Sequence, residues 1–108
     1  MNRENCHFVV IWEFWVRAGA EERFEAAYGM AGAWVRLFSS DPAYQGTKLV
    51  RDASQLRRYL TLDYWDSGVA YDLFNRNHFV EYAAIDRDCE KLTESEKEIG
   101  RFEGRVGG

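Results

Sequence analysis

The first regular pattern in the chain is a run of β-branched and aromatic residues close to its beginning. From about His7 to Val16 the sequence reads HFVVIWEFWV, a composition that favours a β-strand. Successive side chains of a strand point to opposite faces, and here both faces are apolar. One face consists of Phe8, Val10, Trp12, Phe14 and Val16, and the other contains Val9, Ile11 and Trp15. One layer of helices covers a single face, so we expect a second subunit to cover the other.

The next pattern predicts one amphipathic helix. Glu21 and Glu22 lie where the N-terminus of a helix favours negative charge. Apolar residues then recur at helical spacing: Phe24, Ala27, Tyr28, Ala31, Trp34, Val35 and Phe38. Gly29 and Gly32 lie inside this pattern, where we expect them to allow a close approach to the sheet or to a bound ligand. Residues 39–42 (SSDP) end the helix and begin a turn.

The remaining elements follow from alternating and helical patterns in turn. Residues 44–51 and 58–65 favour two strands joined by a hairpin loop. A second helix, capped by Asp66 or Ser67, pauses around residues 75–78 and resumes as far as Leu92. Residues 98–106 predict a short fourth strand.

The predicted order βαββαβ defines the fold class. A right-handed βαβ crossover converts this order into a ferredoxin-like α+β fold with a four-stranded antiparallel sheet. The sequence has no internal repeat or linker, so residues 1–108 are expected to form a single domain.

Aromatic residues are unusually frequent for a chain of this length. They make up 16% of 108 residues, with four Trp, six Tyr and seven Phe. A monomer of this size cannot easily bury so many rings, so we expect some of them to line an interface or a ligand cavity.

Charge and cysteine content exclude several classes of partner. The net charge is −4 and the basic residues are scattered, which argues against nucleic acid or an anionic membrane as a partner. Cys6 and Cys89 lie far apart without a CxxC motif, so neither a metal site nor a disulfide framework is expected. The sequence lacks a signal-peptide pattern and any run of ~20 apolar residues, so we expect a cytoplasmic protein.

Three segments give the chain a resemblance to a known family. They are VVIWEFWVRAG before the first helix, YQGTKLVRD, and YLTLDYWDS with Trp65 and Ser67 at the end of the third strand. Over nearly its whole length the chain resembles the antibiotic biosynthesis monooxygenase superfamily. The resemblance implies a dimeric α+β barrel, in which each subunit has a pocket between its helices and its sheet. The superfamily contains cofactor-independent oxygenases, haem-degrading enzymes and signal-molecule-processing enzymes, so the fold does not define the chemistry.

The haem-degrading branch of the superfamily is the less favoured alternative. Its members use an Asn on the first strand with a Trp and a His on the second long helix, and the corresponding positions here hold Trp12, Phe74 and Ala84. Ala84 offers no axial imidazole for iron. His78 lies on the same predicted helix but about two turns away.

The resemblance implies a homodimeric monooxygenase that needs no metal or cofactor and acts on a small hydrophobic, aromatic compound such as a phenol, quinol or anthrone. The deprotonated substrate supplies the electrons, so the protein needs a base, an aromatic pocket and the exclusion of water. His78 is the first candidate for the base and Glu13 is the second. The candidate substrate-binding residues are Trp12, Tyr28, Trp34, Tyr64, Trp65, Phe74 and Asn75.

These candidates also have structural interpretations. His78 fits a helix junction, Glu13 fits an ion pair at an interface, and the aromatic residues fit a core. The alternative function is therefore a dimeric, stress-associated or small-molecule-binding domain that does not convert its ligand.

Overall fold

The computed structural model describes residues 6–105, in which four strands and four α-helices form one layer each. The strands are β1 (Cys6–Val16), β2 (Tyr44–Arg51), β3 (Arg58–Trp65) and β4 (Thr93–Arg105). The helices are α1 (Glu21–Tyr28), α2 (Ala33–Phe38), α3 (Gly68–Asn77) and α4 (Phe79–Cys89), and a 3-10 turn follows at Glu90–Leu92. The strands pair antiparallel in the order β2-β3-β1-β4, which confirms the predicted ferredoxin-like α+β fold.

Strand β1 lies inside the sheet, and its two faces have different surroundings. Val10 and Phe14 belong to the core beneath the helices, with 0% and 4% of their surface exposed. Val9 and Ile11 on the opposite face are only half-buried. We call the first side of the sheet the helix face. The second side, the open face, carries Val9, Ile11, Glu13, Trp15, Lys48, Val50, Arg58, Leu60, Leu62, Tyr64 and Phe102.

Strand β3 alternates strictly between these two faces. Tyr59 and Trp65 are buried on the helix face, and so are the two polar residues between them, Thr61 and Asp63. The leucines of the strand therefore lie on the open face. Because the side-chain period of a strand is two residues, the aromatic ends of β3 determine that its polar residues point towards the helices.

The predicted first helix is two helices, which corrects the sequence interpretation. Helix α1 ends at Tyr28 and α2 begins at Ala33. The backbone between them folds back so tightly that a Cβ atom on Gly32 would lie 2.1 Å from the Ala27 carbonyl oxygen. The close approach that we predicted for the glycines is therefore made to the end of α1, and not to the sheet or to a ligand.

The second helical region divides where the sequence predicted a pause. Ser67 caps α3, because its Oγ accepts a hydrogen bond of 3.1 Å from the Ala70 amide. His78 lies at the junction, and its amide donates to the Phe74 carbonyl at 3.0 Å before α4 begins. Within residues 6–105 no helix is long and apolar enough to cross a membrane.

Strand β4 begins five residues before the predicted start, at Thr93. Its first half is almost entirely polar, so the apolar pattern gave no signal for it. An edge strand needs only backbone pairing, and here residues from Thr93 onwards pair with β1, with an irregularity at Ile99. Val106, the predicted last residue of the strand, lies outside the described residues.

The tight connection between α1 and α2 predicts the effect of a small substitution. Gly32→Ala should lower the free energy of unfolding by about 2 kcal/mol, because the added methyl group overlaps the Ala27 carbonyl oxygen. The matched control is Gly104→Ala on β4, where no atom lies within 4 Å of the added Cβ. Urea denaturation measures both variants, and an equal effect of the two would contradict the steric explanation.

Candidate functional site

A cavity of about 150 Å³ lies between the helices and the helix face of the sheet. This volume is of the size that holds a single benzene ring in an engineered apolar cavity. Its walls are mainly aromatic. The cavity is lined by Trp12, Phe14, Tyr28, Trp34, Phe38, Tyr71 and Tyr82, with Thr47, Thr61, Asp63, Asp86 and Glu96 as the polar lining.

The aromatic wall is built from all four helices and β1. Phe14 of β1 packs on Tyr28 of α1 with ring centroids 4.9 Å apart, and Tyr28 packs on Trp34 of α2 at 5.9 Å. Trp34 in turn meets the edge of Tyr82 of α4 at 4.8 Å. These contacts hold the rings in fixed orientations around the cavity, as aromatic pairs of this geometry do in cores.

Asp63 is the buried carboxylate of the cavity. Only 9% of its surface is exposed. Thr47 lies opposite it on β2, and the Thr47 hydroxyl donates a hydrogen bond of 2.6 Å to Asp63 Oδ1. A threonine hydroxyl has one proton, so Thr47 Oγ1 accepts its other hydrogen bond from the Tyr44 hydroxyl. The chain Tyr44–Thr47–Asp63 fixes one oxygen of the carboxylate, while no side chain or amide among residues 6–105 bonds to Oδ2.

Burial raises the pKa of Asp63 to about 6, and the hydrogen bond from Thr47 opposes this rise. The shift arises because a low-dielectric site disfavours the charged form of a carboxylate. The group can therefore accept or release a proton close to neutral pH, which an exposed aspartate does not do.

Two further carboxylates line the cavity, Asp86 on α4 and Glu96 on β4. Partial desolvation raises the pKa of Glu96, although the residue is exposed, and the nearby charges of Asp86 and Glu90 raise it further. None of the lining residues is a lysine, arginine or histidine. The cavity is therefore negatively charged once its carboxylates are ionised.

Tyrosine hydroxyls supply the neutral polar groups of the wall. Burial raises the pKa of Tyr28, Tyr71 and Tyr82. All three hydroxyls therefore keep their protons at neutral pH and can donate hydrogen bonds to a ligand oxygen.

Three of the predicted substrate-binding residues lie on the cavity wall: Trp12, Tyr28 and Trp34. Trp65 and Phe74 lie in the core behind Phe38, which meets both rings edge-on at 5.6 Å. Asn75 lies on α3 off the wall, and its buried Oδ1 has no hydrogen-bond partner in the described part of the chain.

The other predicted site residues lie away from the cavity. Tyr64 is on the open face, where the His7 ring contacts its edge at 5.7 Å. Glu13 is also on the open face and pairs with Arg58 at 2.7 Å. His78 stacks on Phe74, and its Nδ1 lies 3.2 Å from a Glu81 carboxylate oxygen at the α3–α4 junction. Neither predicted base lines the cavity, and their catalytic roles stay predictions.

Solved structures with the same fold are numerous, although no family model and no curated protein matches the sequence. A putative antibiotic biosynthesis monooxygenase from Bordetella bronchiseptica superposes with a TM-score of 0.71 at 17% identity, covering 94% of this chain and 97% of that one. A second from Nitrosomonas europaea gives 0.68 at 13% identity, covering 91% and 89%. The chain has the antibiotic biosynthesis monooxygenase fold.

A third structure with the antibiotic biosynthesis monooxygenase fold is SnoaB, a cofactor-independent oxygenase from Streptomyces nogalater. Its TM-score is 0.63 at 17% identity, and the match covers 89% of this chain and 90% of SnoaB. The resemblance stated from the sequence is therefore confirmed for the fold. In residues 6–105 no group of three or more His, Cys, Asp or Glu side chains is arranged to hold a metal ion.

The sequence interpretation missed Asp63, Thr61 and Thr47 as cavity residues. The signal was present in the alternation of YLTLDYW, because Tyr59 and Trp65 have the same parity as Thr61 and Asp63. Because Tyr59 and Trp65 are buried on the helix face, the alternation places Thr61 and Asp63 on that face as well.

The raised pKa of Asp63 predicts a pH-dependent stability. Its folded-state pKa of about 6 lies above the ordinary value, so the free energy of unfolding falls as the pH rises from about 4 to about 6 and stays low above that range. Asp63→Asn keeps an acceptor for Thr47 and removes the charge. We expect this variant to be more stable than the wild type by up to about 3 kcal/mol at about pH 7.5, and by less than about 1 kcal/mol at about pH 4.

Thermal or urea unfolding across this pH range measures the difference. Asp88→Asn, which removes an exposed carboxylate from α4, is the matched control and should change stability by less than about 0.5 kcal/mol at either pH. A constant difference between Asp63→Asn and the wild type at all pH values would contradict the assignment.

Proposed function

We propose that this protein is a cofactor-independent oxygenase of a single-ring phenol or hydroquinone, with Asp63 as the base. The observation that carries the proposal is a nine-tenths buried carboxylate with a pKa of about 6 in an aromatic cavity one ring in size. A base of this pKa is largely ionised at neutral pH and accepts a proton efficiently.

The reaction begins when Asp63 Oδ2 takes the proton of a ring hydroxyl. The resulting anion is electron-rich and reacts with molecular oxygen. For a hydroquinone the balanced reaction is hydroquinone plus O₂ giving hydroxyquinone plus water, so one oxygen atom enters the ring and the other leaves with two substrate hydrogens. The substrate supplies all the electrons, and the protein binds it, removes the proton and excludes water.

The other polar groups of the cavity position the base and stabilise the negative charge that forms on the substrate. Thr47 and Tyr44 are positioning residues, because Thr47 binds Oδ1 of Asp63 and Tyr44 in turn holds the Thr47 hydroxyl, which leaves Oδ2 available to the substrate. The protonated hydroxyls of Tyr71 and Tyr82 are donors for the oxygen anion that forms on the ring.

Two further observations support this choice of function. SnoaB, whose fold this chain shares, is named a cofactor-independent oxygenase. The cavity volume of about 150 Å³ favours one ring over the three fused rings of an anthrone.

We also propose that the protein is a homodimer that joins through the open face. Val50 and Phe102 at the two sides of this face are 43% and 46% exposed, and Ile11, Leu62 and Tyr64 lie between them. A band of apolar residues that crosses the sheet from β2 to β4 needs a cover of similar shape and chemistry, which a second copy of the same sheet supplies.

Oxygen consumption tests the proposed chemistry. Wild-type protein should consume oxygen with hydroquinones, with kcat rising as the pH increases to about 6 and constant above it, because the base must be ionised. Asp63→Asn should lower kcat at least about 100-fold with a smaller change in KM. His78→Gln should retain activity within about threefold, since His78 lies outside the cavity lining.

The same experiment separates the alternatives. Loss of activity in His78→Gln with normal activity in Asp63→Asn would identify His78 as the base. Ligand binding without oxygen uptake across a broad panel of phenols, hydroquinones and anthrones would favour a binding domain. A Soret shift on titration with haem, followed by haem breakdown, would favour the haem-degrading alternative.

The proposed dimer predicts a specific disruption. Leu62→Lys introduces a charge at the centre of the open face, so we expect the variant to be monomeric at micromolar concentration. Leu73→Lys on α3, where the leucine is already 46% exposed, is the control and should remain dimeric. Light scattering coupled to size exclusion measures the mass, and a monomeric wild type would rule out the proposal.

A further inference from the structure

The cavity has a second polar end, opposite Asp63, that the proposed chemistry does not use. Asp86 of α4 and Glu96 of β4 line this end. Their charges act on each other, since Asp86 raises the pKa of Glu96. Asp86 is half-buried and Glu96 is exposed, so this end of the cavity is open to solvent. None of the lining residues is a lysine, arginine or histidine that would neutralise the two carboxylates.

Aromatic rings lie among these carboxylates. Tyr82 precedes Asp86 by one helical turn, and the charges of Asp86 and Glu96 both act on its hydroxyl. Glu96 also acts on Tyr28, which packs against Trp34, and Trp34 packs against Tyr82. Ring faces beside carboxylates attract an ammonium group in two ways, through the ring quadrupole and through direct charge attraction.

The two ends of the cavity are separated by the sheet geometry. Asp63 pairs with Val10 on one side of β1, and Glu96 pairs with Phe14 on the other side. Four residues along β1 and two interstrand spacings separate the two Cα atoms by roughly 16 Å. A ligand that contacts both carboxylates must therefore extend from one end of the cavity to the other. A ligand that reaches both ends therefore carries two different polar groups on opposite sides of its ring.

The Asp63 end provides an independent indication of a ligand. Asp63 is nine-tenths buried and lines the cavity, and within residues 6–105 only Thr47 bonds to it, through Oδ1. Its second oxygen is left as an acceptor for a hydroxyl proton.

From this geometry we infer that the ligand is a phenolic amine. Its ring hydroxyl binds Asp63, its ring lies between Trp12, Trp34 and Tyr82, and its protonated amine lies between Asp86 and Glu96. The inference rests on the proposed function for the role of the hydroxyl, but binding of the amine does not require turnover. Aromatic carboxylic acids of the same size are rejected, because their charge has the same sign as the cavity.

Three ligands of nearly equal shape test the inference. Tyramine carries an amine, para-ethylphenol carries no charged group, and para-hydroxyphenylacetate carries a carboxylate. Calorimetry without oxygen at about pH 7.5, where the alkylamine is protonated, measures binding to the whole protein. We expect tyramine to bind at least tenfold more tightly than para-ethylphenol, and para-hydroxyphenylacetate to bind most weakly.

The double variant Asp86→Asn, Glu96→Gln tests whether these two carboxylates cause the preference for tyramine. In this variant the ratio of the tyramine affinity to the para-ethylphenol affinity should fall to near one. The ratio is measured within one protein, so a general loss of stability does not imitate the result. Glu103→Gln, an exposed carboxylate of β4 outside the cavity lining, is the matched control and should keep the wild-type ratio.

Either of two results would overturn the inference: equal or tighter binding of para-hydroxyphenylacetate, or an unchanged preference for tyramine in the double variant. Failure of the proposed function gives a different result. Tyramine would then bind selectively without oxygen, while no phenol or hydroquinone would support oxygen uptake in air.

Discussion

The alternation of side chains along β3 is the constraint on which the rest of the structure depends. Tyr59 and Trp65 have large apolar rings that are buried beneath the helices. Their burial directs every second residue between them to the helix face. Thr61 and Asp63 therefore enter the core, while Leu60 and Leu62 lie on the open face. A shift of one residue would exchange these sets, removing the carboxylate from the cavity and the leucines from the outer surface.

Burial of Asp63 has a cost that the surrounding structure only partly offsets. One oxygen accepts the hydrogen bond from Thr47, and no cation lies beside the carboxylate within the described residues. A buried charge without a partner destabilises the folded state, and protonation relieves the destabilisation. A protein that keeps such a group in a cavity gives up stability at neutral pH, which is a common property of functional sites.

The sequence predicted the parts of this molecule that depend on local pattern. The two apolar faces of β1, the order of the elements and the interruption at His78 follow from residues that are neighbours in the chain. The polar half of β4 was missed because it is specified by pairing with β1, a contact between distant residues. Of the residues that line the cavity, the sequence pointed only to three aromatic ones, Trp12, Tyr28 and Trp34.

The candidate base shows why the sequence did not predict the polar residues of the cavity. Histidine was preferred because its ordinary pKa lies near neutrality, whereas an aspartate needs a shift of about two units to act in the same range. That shift arises from burial, and burial of Asp63 depends on the packing of the helices over the sheet. Residue type alone therefore favoured His78, although its position at a helix junction keeps it from the cavity.

The break between α1 and α2 explains why the cavity has a complete aromatic wall. Residues advance by about 100° each along a helix, so Tyr28 and Trp34 would be about 120° apart on one continuous helix. Only one of the two rings could then face the sheet. The turn at Gly29 and Gly32 starts a new helix with a new direction, and it brings the rings to 5.9 Å from each other above the cavity. Two residues that weaken a helix thus allow one short segment to contribute two walls of the site.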